Sequence, residues 1–229
     1  MCVVVAFLVA LVLRRLEARR LGIAAAPGQR LIGIAALAGA VVGSKLGMAL
    51  FEPWPALGDL FRRAAGFDFA GKTVVGALLG GIAGVEIAKW RLGIRRRTGD
   101  QFAIAAALGI GIGRVGCLLN GCCYGTPGGG PLAVDIAGAS RHPVQAYEAA
   151  ALLVLAAGLW ATRRADRPEG RLWREFLIGF FAIRFSTEFL RGDPAIRFGP
   201  VSLVQAVCLA AIAAFALQLR APRPAAAAG

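Results

Sequence analysis

Apolar residues occur along this chain in seven long blocks, separated by short segments rich in Arg, Gly or Pro. A helix needs roughly 20 residues to cross a hydrocarbon core of about 30 Å, because it rises about 1.5 Å per residue. Most of the blocks approach that length. We therefore predict an all-α polytopic membrane protein with seven transmembrane helices, over residues 2–13, 31–51, 71–90, 102–119, 144–160, 172–190 and 201–219.

The composition agrees with this prediction. Of the 229 residues, 58% are hydrophobic and 17% are charged, whereas soluble domains are about half apolar and about a quarter charged. We interpret the first block as a membrane anchor rather than a signal peptide, because a run of Arg residues and no small-residue cleavage site follows it. We expect one helical membrane domain over residues 1–219 and a disordered Ala/Pro tail over residues 220–229.

The net charge of +13 is unevenly divided between the two sets of loops. Seventeen basic residues lie around the loops between blocks one and two, three and four, five and six, and after block seven: Arg14, Arg15, Arg19, Arg20, Arg30, Lys89, Arg91, Arg95, Arg96, Arg97, Arg163, Arg164, Arg167, Arg171, Arg174, Arg220 and Arg223. Five lie around the other loops: Arg62, Arg63, Arg141, Arg191 and Arg197. Cytoplasmic loops carry the excess of Lys and Arg, so we predict the N-terminus outside and the C-terminus in the cytoplasm. Such a basic rim suits anionic membrane lipids, and without interleaved base-stacking aromatic residues it excludes nucleic acid.

Ionisable residues within the predicted spans are unexpected, because each costs about 2.5–3.5 kcal/mol near the bilayer centre. Arg184 and Glu188 lie four residues apart and Arg191 follows three residues later, so a helix places all three on one face. Glu148 needs a basic partner from the fourth or sixth block. We expect Arg114 of the fourth block to meet the sixth block near the outer leaflet. Two or three guanidinium groups there would suit a phosphate, whose oxygens they bind bidentately.

His142 and Tyr147 precede this carboxylate in the segment HPVQAYE, residues 142–148. A lone His beside a proline is as often a helix-entry residue as a catalytic one, and both interpretations stay open. Tyr147 and Glu148 lie on one inward turn of the predicted fifth helix. We include His142 and Tyr147 among the candidate substrate-binding residues.

Glycines recur at a four-residue spacing in the second and third blocks. They are Gly39, Gly43 and Gly47, then Gly76, Gly80 and Gly84. Small residues at this spacing are typical of helices that pack closely within a membrane. We therefore predict a close contact at these positions, with packing as a sufficient explanation.

Three of the five cysteines lie in the segment GRVGCLLNGCCYG, residues 113–125. Cys117, Cys122 and Cys123 allow three interpretations. They are inert apolar fillers, or Cys117 forms a disulfide with Cys122 or Cys123 in an oxidising outer compartment, or one is a nucleophile whose thiolate Arg114 favours. A metal site is less favoured, because vicinal cysteines chelate a tetrahedral ion poorly. We therefore predict no bound metal and no cofactor.

Three segments taken together resemble the bacterial prolipoprotein diacylglyceryl transferases. They are GRVGCLLNGCCYG, then RHPVQAYEA at residues 141–149, then FLIGFFAIRFSTEFLRGDP at residues 176–194. Their order and spacing match that family over roughly residues 31–219, as does a seven-span layout. The resemblance implies an enzyme of the bacterial cytoplasmic (inner) membrane. It would transfer the diacylglyceryl group of phosphatidylglycerol to the thiol of a lipobox cysteine in a prolipoprotein signal peptide, releasing glycerol phosphate.

The resemblance also implies roles for individual residues. Arg114 takes the family's phosphate-side arginine, Asn120 and Gly125 fall on its signature asparagine and glycine, and Glu188 and Arg191 fall on its Glu-x-x-Arg. The predicted catalytic residues are Arg114, Asn120, Glu188, Arg191, Cys122 and Cys117. The predicted substrate-binding residues are Arg114, Gly125, Arg184, His142, Tyr147 and Glu148.

The chain departs from the family pattern at several positions. The family usually has Asn in place of Cys117 and Glu in place of Cys122, and the arginine of its Gly-x-Arg-Leu-Gly is Lys45 here. Its His-Gly-Gly-Leu is Leu-Gly-Gly-Ile at residues 79–82, without the histidine. Two alternative functions therefore stay open: a diverged diacylglyceryl transferase with another acceptor, and a membrane thiol-redox protein.

Overall fold

The computed structural model describes residues 2–23, 28–51, 73–128, 132–136, 138–192 and 196–220. Seven α-helices lie within these ranges: α1 (Cys2–Arg20), α2 (Gln29–Phe51), α3 (Val74–Arg91), α4 (Asp100–Leu119), α5 (Val144–Thr162), α6 (Arg171–Glu188) and α7 (Leu203–Arg220). Two short antiparallel hairpins accompany them, β1 (Val134–Ile136) with β2 (Ala139–Arg141), and β3 (Arg197–Phe198) with β4 (Val201–Ser202). Each predicted apolar block thus falls largely on one helix.

Four of these helices are long and apolar enough to cross a membrane. They are α2 over Gln29–Gly47, α4, α5 and α7. The helix α6 is more charged, because Arg171, Arg174, Glu175, Arg184 and Glu188 lie within its 18 residues. The chain is therefore a helical membrane protein, and seven spans with the N-terminus outside stay a prediction.

Helix α1 continues beyond its apolar block as far as Arg20. Glu17 lies in this extension, is 3% exposed and forms an ion pair with Arg163 at 3.3 Å. Arg163 is the residue that follows α5, so this buried pair joins the last turn of α1 to the end of α5. The charged segment after the first block is thus part of the helix and not a loop.

Two compact units divide the chain. One comprises Met1–Ala18, Arg97–Asp193 and Gln205–Gly229, and the other comprises Arg19–Arg96 and Pro194–Val204. The single domain over residues 1–219 stays a prediction. Arg220 is the last residue of α7, and the rest of the predicted tail lies outside the described residues.

In the second unit, α2 and α3 contact each other through glycines. A Cβ atom added to Gly43 would lie 2.7 Å from the Cα of Gly80, and one added to Gly80 would lie 2.6 Å from the Cα of Gly43. One turn along, a Cβ on Gly47 would lie 2.9 Å from the Cα of Gly76. The close contact predicted from the glycine spacing is confirmed.

In the first unit, α4 holds the beginning of α6 through Asp100. Its carboxylate accepts hydrogen bonds from the backbone N–H of Gly170 at 2.7 Å and of Trp173 at 2.8 Å. The first N–H groups of a helix have no partner within that helix and favour a negative charge beside them. Asp100 therefore caps α6 from another helix and fixes where α6 starts relative to α4.

Candidate active site

The loop that follows α4 runs between the start of α5 and the end of α6. The N–H of Gly125 donates to the C=O of His142 at 2.9 Å, and the N–H of Thr126 donates to the C=O of Leu190 at 2.8 Å. Gly125 also pairs with Arg191 in an isolated antiparallel bridge. The backbones leading out of α4, into α5 and out of α6 are thus tied together at one end of the unit.

Gly125 is required where these three backbones meet. A Cβ atom there would lie 2.6 Å from the carbonyl oxygen of His142 and 2.7 Å from that of Leu190. Any larger residue would push the loop away from the end of α6. The structure therefore places Gly125 at a backbone junction, from which it fixes the position of Arg191.

Glu148 of α5 receives a guanidinium group from each of two other helices. Its Oε2 pairs with Nε of Arg114 on α4, and its Oε1 pairs with Nη1 of Arg184 on α6 at 3.3 Å. The hydroxyl of Thr187 donates to the same Oε1 at 2.9 Å. The side chain of Glu148 is only 4% exposed. The expectation that Glu148 finds a basic partner on the fourth or sixth block is confirmed for both.

The ion pairs continue along one face of α6 and just beyond its end. Nη2 of Arg184 lies 2.5 Å from Oε2 of Glu188, and Nε of Arg191 lies 3.8 Å from the same oxygen. The shared helix face is confirmed for Arg184 and Glu188, which lie four positions apart. It is wrong for Arg191, because α6 ends at Glu188 and the backbone of Arg191 forms a bridge with Gly125. Arg191 still meets the carboxylate of Glu188 from there.

These ion pairs form what we call the arginine cluster: Arg114, Arg184, Arg191, Glu148 and Glu188. It contains three guanidinium groups and two carboxylates. All five groups are buried or half-buried. Guanidinium groups bind phosphate oxygens bidentately, so a cluster with three of them suits an anion such as a phosphodiester.

His142 and Tyr147 lie beside the junction. Nδ1 of His142 is 3.4 Å from the hydroxyl oxygen of Tyr147. The backbone of His142 also takes part in the junction, since its N–H donates to the C=O of Thr126 at 3.2 Å. Both the helix-entry role and a polar role for the side chain are therefore compatible with this position.

The family profile described as prolipoprotein diacylglyceryl transferase matches residues 1–220 of the chain. The chain belongs to this family. A relative from Aromatoleum aromaticum, named phosphatidylglycerol–prolipoprotein diacylglyceryl transferase, is 32% identical over 222 residues, covering 87% of this chain and 79% of its own length. A relative of the same name from Clostridium tetani is 32% identical over 151 residues, covering 61% of this chain and 59% of its own length.

The alignment with a third diacylglyceryl transferase, from Pseudoalteromonas atlantica, is 31% identical and covers 67% of this chain but 56% of that relative. For two of these three relatives the chain thus spans less than two thirds of their length. The family is established by the profile and by the Aromatoleum alignment.

In this member of the family, the predicted residue Asn120 lies in the turn after α4. It follows the last residue of α4, its N–H donates to the C=O of Gly116 at 3.1 Å, and it is exposed. The structure therefore brings together seven of the predicted site residues, in the arginine cluster and at His142 and Tyr147, with Gly125 holding the backbone between them. It leaves Asn120 on the turn that carries the cysteines.

The sulfur atoms of Cys117, Cys122 and Cys123 all lie within 4.8 Å of one another. Burial, and secondly the neighbouring Cys123, raise the pKa of the Cys122 thiol. A raised pKa keeps a thiol protonated at neutral pH, and only the thiolate is a strong nucleophile. For Cys122, this direction argues against the nucleophile interpretation, one of the three open for the cysteines.

Two residues of this site were not identified from the sequence. Thr187 contributes its hydroxyl to Glu148, and Gln145 is fully buried and donates from Nε2 to the C=O of Cys122 at 2.6 Å. Each is a polar residue inside an apolar block, within one turn of a predicted site residue. A polar residue at such a position is the sequence signal that could have identified both.

Proposed function

We propose that the chain transfers the diacylglyceryl group of phosphatidylglycerol to the thiol of a lipobox cysteine in prolipoprotein signal peptides. Membership of the family and the names of the relatives support this reaction. The observation that carries it is the arginine cluster, in which Arg114 and Arg184 from different helices meet at Glu148. Its guanidinium groups suit the charged oxygens of a phosphodiester headgroup.

The chemistry requires stabilisation of the leaving phosphate. The thiolate sulfur attacks the glycerol carbon that bears the phosphate, forming a C–S bond as the C–O bond to the phosphate breaks. The electron pair of the broken C–O bond stays on the phosphate oxygen, and the phosphate leaves as glycerol phosphate. Negative charge thus grows on that oxygen in the transition state, where preorganised guanidinium groups stabilise it most. Arg114, Arg184 and Arg191 are proposed for this role.

Glu148 and Glu188 are proposed as positioning residues. Each holds two guanidinium groups at fixed points, so that the cluster does not have to rearrange when the phosphate arrives. His142 and Tyr147 are proposed to contact the lipid headgroup beside the junction, and Gly125 to hold Arg191 in place. Asn120, Cys117 and Cys122 lie at the end of α4 and in the turn after it, and the proposed reaction gives none of them a step.

We further propose seven membrane spans in the bacterial inner membrane, with the N-terminus outside. The excess of Arg and Lys on alternate loops supports this orientation. It places the junction and the arginine cluster toward the outer leaflet, where a translocated lipobox peptide would meet them. Cysteine accessibility to a membrane-impermeant thiol reagent in intact cells, at single sites introduced into alternate loops, tests this topology.

The reaction is tested with the purified protein in proteoliposomes that contain phosphatidylglycerol radiolabelled in its diacylglyceryl group. A lipobox peptide should acquire label on its cysteine, and Arg114→Ala should abolish this transfer. The matched control is Arg95→Ala, because Arg95 is exposed and lies outside the site. Label released to water or to another acceptor, with none on the peptide, would contradict the proposal and favour the diverged transferase.

A further inference from the structure

Three cysteine side chains converge at the end of α4 and are not needed by the proposed reaction. Cys117 lies in the last turn of α4, and Cys122 and Cys123 follow in the turn after it. All three are half-buried and the structure holds them as thiols. Each pair of their sulfur atoms lies within 4.8 Å. We propose that Cys117, Cys122 and Cys123 form a three-sulfur site for a thiophilic metal ion such as Zn²⁺.

The separations suit such an ion. Zinc binds thiolate sulfur at about 2.3 Å, so two sulfurs on a tetrahedral zinc lie about 3.8 Å apart. The sulfur–sulfur distances in the structure are at most 4.8 Å. Zinc binding would therefore shorten each of them by at most about 1 Å. Thiolates are the ligands that select Zn²⁺ and Cu⁺ over the harder Mg²⁺ and Ca²⁺.

The backbone removes the objection that neighbouring cysteines cannot share an ion. Along an extended chain, successive side chains point to opposite faces. Here Cys123 has a φ of 58°, in the left-handed region that residues other than glycine rarely adopt. Gly121 before it is also left-handed, with a φ of 62°. These two reversals turn the chain back on α4, so that the side chains of Cys122 and Cys123 approach Cys117 together.

The turn is held in this shape by other contacts. The N–H of Cys122 donates to the C=O of Cys117 at 3.1 Å, and its own C=O accepts from the side chain of Gln145 at 2.6 Å. Gln145 belongs to α5 and is fully buried. The ligands are thus already gathered before an ion binds, which lowers the ordering cost of binding.

Among the described residues, this group supplies three ligands. A tetrahedral ion held by three sulfurs retains a fourth position for water or another small ligand. The bound ion would brace the turn that leads directly to Gly125 and the backbone junction. This inference concerns binding alone and does not depend on the proposed reaction.

The test uses the purified full-length chain in detergent, reduced and stripped of metal with a chelator, then titrated with Zn²⁺ against a competing indicator. We expect one ion bound per chain, with three fewer thiols reacting with an aromatic disulfide reagent than in the metal-free chain. Titration with Cd²⁺ should produce the ultraviolet absorption band typical of cadmium–thiolate bonds.

Serine variants assign the ligands. Cys117→Ser, Cys122→Ser and Cys123→Ser should each weaken Zn²⁺ binding by about 100-fold or more, since losing even an outer-shell partner of a metal ligand costs about 10–100-fold. The matched controls are Cys2→Ser and Cys208→Ser, in α1 and α7, which should bind Zn²⁺ like the parent chain.

Two results would overturn the site. One is a reduced, folded chain, with the thiols of Cys117, Cys122 and Cys123 reactive, that binds no Zn²⁺ and shows no cadmium band. The other is binding that the three turn variants weaken no more than the two controls do. A disulfide in protein purified without reductant, combined with no Zn²⁺ binding after reduction, gives the first result and identifies the cysteines as a redox pair instead.

Discussion

Replacing Glu148 with Gln should destabilise the protein far more than its single lost charge suggests. Glu148 compensates two guanidinium groups at once, and its partners Arg114 and Arg184 are 8% and 10% exposed in their side chains. The glutamine side chain would preserve the shape and the acceptor for Thr187, so the variant changes mainly the charge. The arginine cluster would then hold three positive groups against one carboxylate.

The expected magnitude follows from the burial. Removing one partner of a buried ion pair costs about 3–5 kcal/mol, because the remaining charge is left without compensation. For a chain of this size, such a loss lowers the midpoint of thermal unfolding by roughly 10 °C. Transfer activity should also fall, by about 100-fold, since the two arginines lose the group that positions them.

Thermal unfolding in detergent, followed by tryptophan fluorescence, measures this effect. The matched control is Glu86→Gln: Glu86 pairs with Lys89 at 2.9 Å, but its side chain is 63% exposed. Exposed pairs contribute about 1 kcal/mol or less, so this control should unfold within a few degrees of the parent chain. If the two variants unfolded at the same temperature, Glu148 would not be the shared partner of two buried arginines.

Three further predictions test other parts of the structure. Arg114→Lys should reduce transfer by about 100-fold, because an ammonium group cannot bind a phosphate through two parallel hydrogen bonds; full activity would refute bidentate binding. Gly80→Ala should lower the unfolding temperature. The control Gly158→Ala should leave that temperature unchanged or raise it, because a Cβ on Gly158 meets nothing within 4 Å. Equal shifts for the two variants would contradict the glycine contact. Asp100→Ala should lower the free energy of unfolding by about 1–2 kcal/mol, because α6 loses its cap. The control is Asp166→Ala at an exposed position. Equal stability of the two variants would show that the cap contributes nothing.

The helices were predictable because the apolar blocks are long and their ends are polar. The position where α1 ends was not predictable, since Glu17 and the arginines beside it are strongly polar. Their pattern gave no sign that Glu17 pairs with Arg163 in a buried contact, and such a pair depends on a helix far away along the chain. The capping of α6 by Asp100 could not be predicted for the same reason, because Asp100 belongs to another helix, α4.

The site was predictable to the extent that it depends on helix periodicity. The spacing of Arg184 and Glu188 placed both on one face of α6, whereas Arg191 lies beyond the end of that helix. The need of the buried carboxylate of Glu148 for a basic partner led to the fourth and sixth blocks. The role of Gly125 required the coordinates, because only they reveal two carbonyl oxygens at the position of its missing Cβ. The convergence of the three sulfurs likewise depends on two left-handed residues, Gly121 and Cys123, and the conformation of Cys123 is one that no side-chain pattern indicates.

Anion binding would separate the proposed role of the arginine cluster from a purely structural one. Arg191 lies next to the junction at Gly125 and pairs with Glu188 at 3.8 Å. A phosphodiester that bound the guanidinium groups at this end of the cluster would stabilise only the folded state, and the stability of the protein would then rise with the concentration of that anion. A short-chain phosphatidylglycerol should therefore raise the unfolding temperature of the parent chain more than a zwitterionic lipid of the same length, and Arg191→Gln should abolish the difference.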